Sequence, residues 1–206
     1  ASPSFKNYKN SSDDKPFPAT LCTSINNEVV HAPASERIIK DGDIAGIDIG
    51  LQLHREGRDY YVDMAKTVAV GKISREAKKL IKVTKKALEK GLKRVKPGNY
   101  IHDIGQAIQK YVESEGFSVV RSLVGHGVGY EVHEEPRIPN YYMEDMPKIV
   151  IQKGMVLAIE PMVNIGSYKV ITLNDGWTVA TEDGSLSGHF EHTIAVTGKG
   201  YEILTQ

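Results

Sequence analysis

The sequence contains a short internal repeat, called an echo below, in which two segments that each end on a carboxylate align without a gap. Residues 39–48 read IKDGDIAGID and residues 151–160 read IQKGMVLAIE, with isoleucine, glycine and isoleucine at matching places. A second echo follows, because Asp63 precedes TVAVGK and Glu191 precedes TIAVTGK. Short matches also arise by chance, but a duplicated unit explains both echoes. We therefore expect two related halves, over residues 39–116 and 117–206.

Two related halves would gather four acidic side chains, Asp48, Asp63, Glu160 and Glu191, around one pseudo-twofold axis. Buried carboxylates that crowd one another either take up protons or bind cations. His126 can supply a nitrogen ligand, and the glycines around it in GHGVG are expected to allow tight backbone turns. One imidazole and four carboxylates suit two divalent transition metals about 3.5–4 Å apart, which activate water for hydrolysis.

The apolar patterns predict a mixed α+β fold. IAGIDIGLQLH and YYVDMAKTVAVG, joined at the polar HREGRD turn, predict an antiparallel hairpin that begins near Asp43. Apolar residues at helical spacing predict a helix over 74–96, with Ser74 as its N-cap, and a second helix over 101–115. Residues 9–16 are expected to form a solvated loop within a partly flexible segment over 1–16.

Composition narrows the class of protein. A chain of 206 residues is long enough for one domain with a hydrophobic core, which we expect over residues 1–206. Basic and acidic residues number 26 each, so no general attraction to nucleic acid or membranes is expected. Cys22 is the only cysteine, which favours the cytoplasm. No apolar run approaches the ~20 residues of a membrane span, no export signal is recognised, and a monomer is the default expectation.

Nearly the whole chain resembles the methionine aminopeptidases of the pita-bread fold, in the M24 family, and is most similar to their type I branch. The matching stretches include PATLCTSIN, EVVH, GDIAGIDIG, DMAKT, GFSVVRSLVGHGVG, HEEP, KGMVLAIEPMVN, DGWTV and FEHTIAVT. The resemblance implies two pseudo-symmetric αβ halves around a central antiparallel sheet. It also implies removal of the N-terminal methionine from nascent proteins and peptides by a hydroxide that two metal ions activate.

The resemblance assigns a role to residues matched by position. It implies metal binding, with cobalt, manganese, iron or zinc as candidates, by Asp48, Asp63, His126, Glu160 and Glu191. It implies catalytic or substrate contacts by His133, which lies seven residues after His126, by His31, and by Glu160 as the proton carrier. The pocket for the methionine side chain is expected to be formed by Tyr8, Phe17, Cys22 and Trp177.

Other interpretations stay open at this point. Trp177 and Cys22 can belong to the core rather than to a pocket, and His192 is expected to face away from Glu191. The basic helix over 74–96 can be a solvated face or a contact with ribosomal RNA. Two other functions fit the same fold, namely an Xaa-Pro aminopeptidase or prolidase with the same five ligands, and a non-catalytic pita-bread binding module.

Overall fold

The computed structural model describes residues 1–9 and 15–206, so most of the loop predicted over 9–16 lies outside the described residues. Two helices occur in this part of the chain, α1 (Arg75–Leu92) and α2 (Ile101–Ser114). The strands are β1 (Ser2–Pro3), β2 (Cys22–Ile25), β3 (Glu28–Val30), β4 (Ile44–Arg55), β5 (Arg58–Ala69), β6 (Ser118–Val119), β7 (Gly125–Gly127), β8 (Glu134–Ile138), β9 (Val156–Ile159), β10 (Met162–Asn164), β11 (Val170–Thr172), β12 (Val179–Thr181), β13 (Ser187–His189), β14 (His192–Val196) and β15 (Tyr201–Ile203).

Both helices begin where the sequence predicts, α2 also ends within one residue of the prediction, and α1 ends earlier than predicted. Ser74 caps α1, because its hydroxyl oxygen accepts a hydrogen bond from the Ala77 amide at 3.0 Å. The predicted end at residue 96 is wrong, since the amide of Val95 bonds to the carbonyl of Leu92, three residues back, in a tighter turn. Neither helix in the described part of the chain is long and apolar enough to cross a membrane.

The β4–β5 hairpin is longer than predicted. Its turn consists of Glu56 and Gly57, which both have positive φ, at 53° and 75°. Two successive residues with positive φ match a type I′ turn, whose twist suits two paired strands. The rest of the predicted HREGRD turn is paired, with His54 opposite Asp59 and Arg55 opposite Arg58. The polar residues therefore lengthen the strands instead of forming a loop.

Two antiparallel sheets meet along β5 and β14. One sheet pairs β4 with β1, β2 and β5, and the other has the order β15-β14-β9-β7-β8. They join at a bridge between Lys66 and Phe190, next to a 2.9 Å hydrogen bond from the Glu191 amide to the Ala65 carbonyl. The β4–β5 hairpin and the antiparallel β9–β14 pair thereby form a central antiparallel surface.

Two buried threonines reveal the pseudo-twofold relation at this junction. Thr193 Oγ1 accepts a hydrogen bond from the Asp63 amide and donates one to the Asp63 carbonyl, both at 2.8 Å. Thr67 Oγ1 accepts from the His189 amide at 2.8 Å and donates to the His189 carbonyl at 2.9 Å. The exchange relates Thr67 to Thr193, as the sequence echo predicts. It also makes His189, and not Glu191, the structural counterpart of Asp63.

The main hydrophobic core lies between the helices and the β9–β14 pair. Helical residues such as Leu80, Ile104 and Ile108 are fully buried against the strands. The β9–β14 pair contributes Leu157, Ile159 and Ile194. Helices α1 and α2 therefore cover the back of the β9–β14 pair, while its front faces the junction with the β4–β5 hairpin.

Candidate metal centre and active site

One cavity of about 530 Å³ contains every site residue that the sequence predicts. It lies at the junction of the β4–β5 hairpin and the β9–β14 pair. It is lined by Phe5, Tyr8, Phe17, Cys22, His31, Asp48, Asp63, His126, His133, Glu160, Trp177 and Glu191. Of these, only Phe5 is absent from the prediction. Polar groups therefore gather at one end of a cavity whose other walls are largely aromatic.

The acidic end of the cavity collects side chains from five places in the sheet. Asp48 lies on β4, Asp63 on β5 and His126 on β7, while Glu160 follows β9 and Glu191 precedes β14. Ligand atoms of Asp63, His126 and Glu191 all lie within 4.8 Å of one another. Glu160 Oε1 is 3.5 Å from His126 Nε2. This arrangement has the ligand types and proximity of a metal centre.

The negative charges of the carboxylates at the acidic end of the cavity are not balanced by other described groups. Burial and repulsion by Asp63 raise the pKa of Asp48 and of Glu191 well above their usual range. Burial also raises the pKa of Asp63 to about 6 and that of Glu160 to about 8. Asp48 Oδ1, Asp63 Oδ1 and Glu191 Oε1 are buried without a hydrogen-bond partner among the described residues. Buried acceptors with no donor are costly, so the donor set fits divalent cations.

The local backbone fixes how His126 is presented. Its Nδ1 lies 2.8 Å from the Gly127 carbonyl oxygen, which can only accept, so Nδ1 carries the proton and Nε2 has a free lone pair toward the carboxylates. The expectation of tight turns is wrong, since Gly125 and Gly127 lie within strand β7. A Cβ at Gly125 would collide with the Ala158 carbonyl, and one at Gly127 with the Glu135 carbonyl. The glycines permit close strand approach.

His189 is a site residue that the sequence reasoning missed. Its Nε2 lies 3.6 Å from Glu160 Oε2 and has no hydrogen-bond partner within the described chain. Burial lowers the pKa of His189 to about 4, which keeps it neutral near pH 7. The available signal was its spacing of two residues from Glu191, because alternate residues of an extended strand share a face. Glu160 consequently lies between two imidazoles.

His31 and His133 also line the cavity, and both lie outside the strands and helices. His31 follows β3 with φ of 62°, a left-handed conformation that is uncommon outside glycine and is enriched at functional sites. The His133 ring lies 4.4 Å from that of His126, and its Nδ1 is 2.7 Å from the Tyr8 hydroxyl. Burial lowers the pKa of both His31 and His133 to about 4. Both rings are therefore neutral near pH 7.

Aromatic rings form the apolar end of the cavity. Phe17 packs edge to face on Trp177 at 5.2 Å and on Phe5 at 6.3 Å. Trp177 thus belongs to a small hydrophobic cluster and also lines the cavity. Asp175 holds the backbone of this loop, since its Oδ1 accepts a 2.9 Å hydrogen bond from the Trp177 amide.

Cys22 lies in the wall of the site, and His192 lies outside it. Cys22 is buried opposite Asp48 in the β2–β4 pair, and burial together with the charge of Asp48 raises the pKa of its thiol. A protonated, buried thiol is a wall residue and not a nucleophile. His192 lies outside the cavity, where its Nδ1 is 3.1 Å from the Thr205 hydroxyl.

Comparison with known proteins places this geometry in a family. The sequence model described as metallopeptidase family M24 matches residues 4–198. The chain belongs to metallopeptidase family M24. Family members of high similarity include the methionine aminopeptidase of Clostridium acetobutylicum, 50% identical over all of this chain and 78% of its own. Methionine aminopeptidase 1 of Bacillus subtilis is 51% identical over all of this chain and 79% of its own.

Solved structures of M24 relatives share the fold. The methionine aminopeptidase of Thermotoga maritima superimposes with a TM-score of 0.89 and 44% identity, over all of this chain and 78% of its own. The prolidase of Pyrococcus furiosus superimposes with a TM-score of 0.71 and 24% identity, over 90% of this chain and 48% of its own. The prolidase likeness concerns the fold alone.

Proposed function

We propose that the chain hydrolytically removes the N-terminal methionine from proteins and peptides. The observation that carries the proposal is a single cavity in which an apolar, aromatic end adjoins a cluster of unneutralised carboxylates and imidazoles. An unbranched thioether side chain suits such apolar walls. The names of the relatives that are about 50% identical over the full chain support the same activity.

Two divalent ions are the proposed cofactor, with manganese, iron, cobalt and zinc as candidates. Asp48, Asp63, His126, Glu160 and Glu191 would hold them, and the unpaired oxygens of three of these carboxylates support this assignment. Bound at this site, such ions supply an activated water and polarise the carbonyl of the scissile bond.

The protein's own groups then guide the proton and orient the substrate. Glu160, between His126 and His189, can carry a proton from the attacking water to the leaving amine at one of its carboxylate oxygens. His133 keeps a donor for the developing oxyanion at Nε2 when Nδ1 accepts from the Tyr8 hydroxyl. His31 faces the same space and would contact the scissile amide.

The methionine side chain would occupy the aromatic end of the cavity. Tyr8, Phe17, Cys22 and Trp177 are its proposed walls, and Phe5 closes the far side. Because the cavity ends against these rings, the substrate's first residue enters it and the remaining chain leaves toward solvent. This geometry favours cleavage after one residue.

Peptide cleavage distinguishes this function from the alternatives. Metal-stripped protein, reloaded with manganese or cobalt, should release methionine from Met-Ala-Ser and leave N-acetyl-Met-Ala-Ser intact. Cleavage of an Ala-Pro peptide instead would assign the chain to the Xaa-Pro aminopeptidase and prolidase activities. A metal-loaded protein that cleaves none of these peptides would indicate a binding module.

The oligomeric state, the cellular compartment and the substrates are also part of the proposal. A monomer that works as a single catalytic domain over residues 1–206 is part of the proposal, and the lining of the cavity, from Phe5 to Glu191, draws on most of that length. The buried free cysteine fits a reducing cytoplasm. Nascent polypeptides that begin with methionine are the proposed substrates.

Contact with the ribosome is a finer proposal about α1. Arg75, Lys78 and Lys82 are exposed along one side of this helix, with no ion pair to other described residues. Such a cationic side can contact RNA phosphates, and binding would then weaken steeply with salt. Ribosome co-sedimentation that is unchanged in a Lys78→Glu, Lys82→Glu variant would contradict this contact.

A further inference from the structure

An open groove leads out of the catalytic cavity. It has a volume of about 1140 Å³ and shares these wall residues with the cavity: Tyr8, His31, His126, His133 and Glu160. A second groove of about 820 Å³ adjoins the first, because Val124, Glu135 and Arg137 line both. The two together are called the exit groove below. A substrate held in the catalytic cavity therefore has a continuous surface on which its later residues can lie.

Strand β8 forms one side of the exit groove. It begins directly after His133, which the proposed function places beside the developing oxyanion. Alternate residues of an extended chain share a face, and His133, Glu135 and Arg137 all line the groove. At about 3.3 Å per residue, Arg137 lies roughly 13 Å beyond His133 along the chain. An extended substrate that runs beside β8 covers this distance with about four residues.

The outer edge of β8 is free within the described part of the chain. The strand lies at the end of the order β15-β14-β9-β7-β8 and pairs there with β7. The Arg137 amide is not used by the sheet, since it donates a hydrogen bond to Glu135 Oε2 at 3.2 Å. Edge strands bind extended peptides as an additional strand, through main-chain hydrogen bonds. The backbone of β8 can therefore hold an extended substrate.

Arg137 supplies the positive charge in the exit groove. It is exposed and forms no ion pair with other described residues. Glu134 and Glu135, which lie nearer the catalytic cavity, both accept hydrogen bonds from backbone amides. Beyond Arg137 the wall is largely apolar and aromatic, with Tyr141 and Met146 among its side chains. An unpaired guanidinium in this position attracts a carboxylate of the substrate.

We propose that the exit groove binds the third to sixth residues of the substrate in an extended conformation, and that Arg137 favours substrates with acidic residues at positions five and six. The inference rests on the proposed function, because the direction of the substrate is taken from a scissile bond beside His133. An ion pair at an exposed site contributes little free energy, so a preference of about threefold in kcat/KM is expected. The preference should weaken with salt.

Peptides that differ at positions five and six test the proposal on the intact, manganese-loaded protein. The set is Met-Ala-Ser and Met-Ala-Ser-Ala followed by Glu-Glu, Gln-Gln or Lys-Lys, each with an amidated C-terminus. At low salt, kcat/KM for methionine release should be about threefold higher for the Glu-Glu than for the Lys-Lys peptide. Arg137→Gln should bring this ratio close to one, and Arg137→Glu should reverse it. Both peptides are measured on one preparation, so incomplete folding of a variant does not change the ratio.

A matched control separates the position of the charge from its sign. Arg94→Glu alters an exposed arginine that lines neither part of the exit groove, and it should keep the ratio of the unmodified protein. Cleavage of Met-Ala-Ser together with equal kcat/KM for the Glu-Glu and Lys-Lys peptides would overturn the inference and leave the proposed function standing. A ratio that Arg94→Glu changes as much as Arg137→Glu would overturn it too. Release of methionine from none of the peptides would overturn the proposed function, and the inference with it.

Discussion

Strands β5 and β14 face each other with the same pair of threonine hydrogen bonds, yet the side chains held by those bonds differ. Thr193 holds Asp63, whereas Thr67 holds His189. Behind the strands, within the described residues, α1 and α2 cover Ile159 of the β9–β14 pair, whereas Ile47 of the β4–β5 hairpin is 42% exposed. The related backbones thus provide a frame that is nearly symmetric, while the side chains that they hold at the front differ.

The largest loss of activity is expected at the proposed metal ligands, which come from both halves of the chain. Glu191→Gln should lower kcat/KM for Met-Ala-Ser by about a thousandfold, since a metal ligand contributes several kcal/mol to the reaction barrier. His192→Gln, one residue along and outside the cavity, is the matched control and should keep its activity. Equal losses in both variants would show that the strand, and not the carboxylate, matters.

The different burial of Ile159 and Ile47 predicts a difference in packing energy. Ile159→Ala should lower the free energy of unfolding by about 3 kcal/mol, because it leaves a void in a fully buried core. Ile47→Ala, at the equivalent exposed position, should cost less than about 1 kcal/mol. Urea unfolding measures both. Similar losses would mean that Ile47 is packed in solution.

The matching hydrogen bonds of Thr67 and Thr193 predict equal losses in the free energy of unfolding when either threonine is replaced. Thr67→Val and Thr193→Val each leave a buried amide and carbonyl without their hydroxyl partner, which should cost about 2 kcal/mol. Unfolding of the two variants under identical conditions compares them directly. A difference well above 1 kcal/mol would break the pseudo-twofold relation.

A smaller effect should appear in the pH dependence of the metal-free protein. The folded-state pKa of Glu160, about 8, lies above its value in the unfolded chain, so the folded protein holds a proton that the unfolded chain releases. Stability should therefore fall, by about 0.7 kcal/mol, as pH rises from about 7.5 to about 8.5. At lower pH the trend is opposed by His31, His133 and His189, because their pKa is about 4 in the folded protein and about 6.5 in the unfolded chain, which is then partly protonated. Glu160→Gln should flatten the profile, and a stability that rises with pH would contradict it.

Much of the site could be predicted because its residues sit in short, ordered motifs. The echo and the Gly-flanked His126 identified all five proposed ligands, and the structure brings them into one cavity. His189 escaped because the echo was matched by carboxylates, whereas the strand pairing relates Asp63 to a histidine. Side-chain chemistry had diverged where backbone geometry had not.

Element ends were harder to predict for physical reasons. The polar HREGRD segment indicates a loop, but a two-residue turn with Gly57 is enough to reverse the chain, so the strands continue through it. The early end of α1 depends on a local change to tighter hydrogen bonds that periodicity does not encode.

The most direct test of the account is the release of free methionine from Met-Ala-Ser as manganese is titrated into metal-stripped protein. The account predicts release that starts with added metal, disappears with a chelator, and is absent in Asp63→Asn. A protein that binds manganese at this site and still releases no methionine would contradict it.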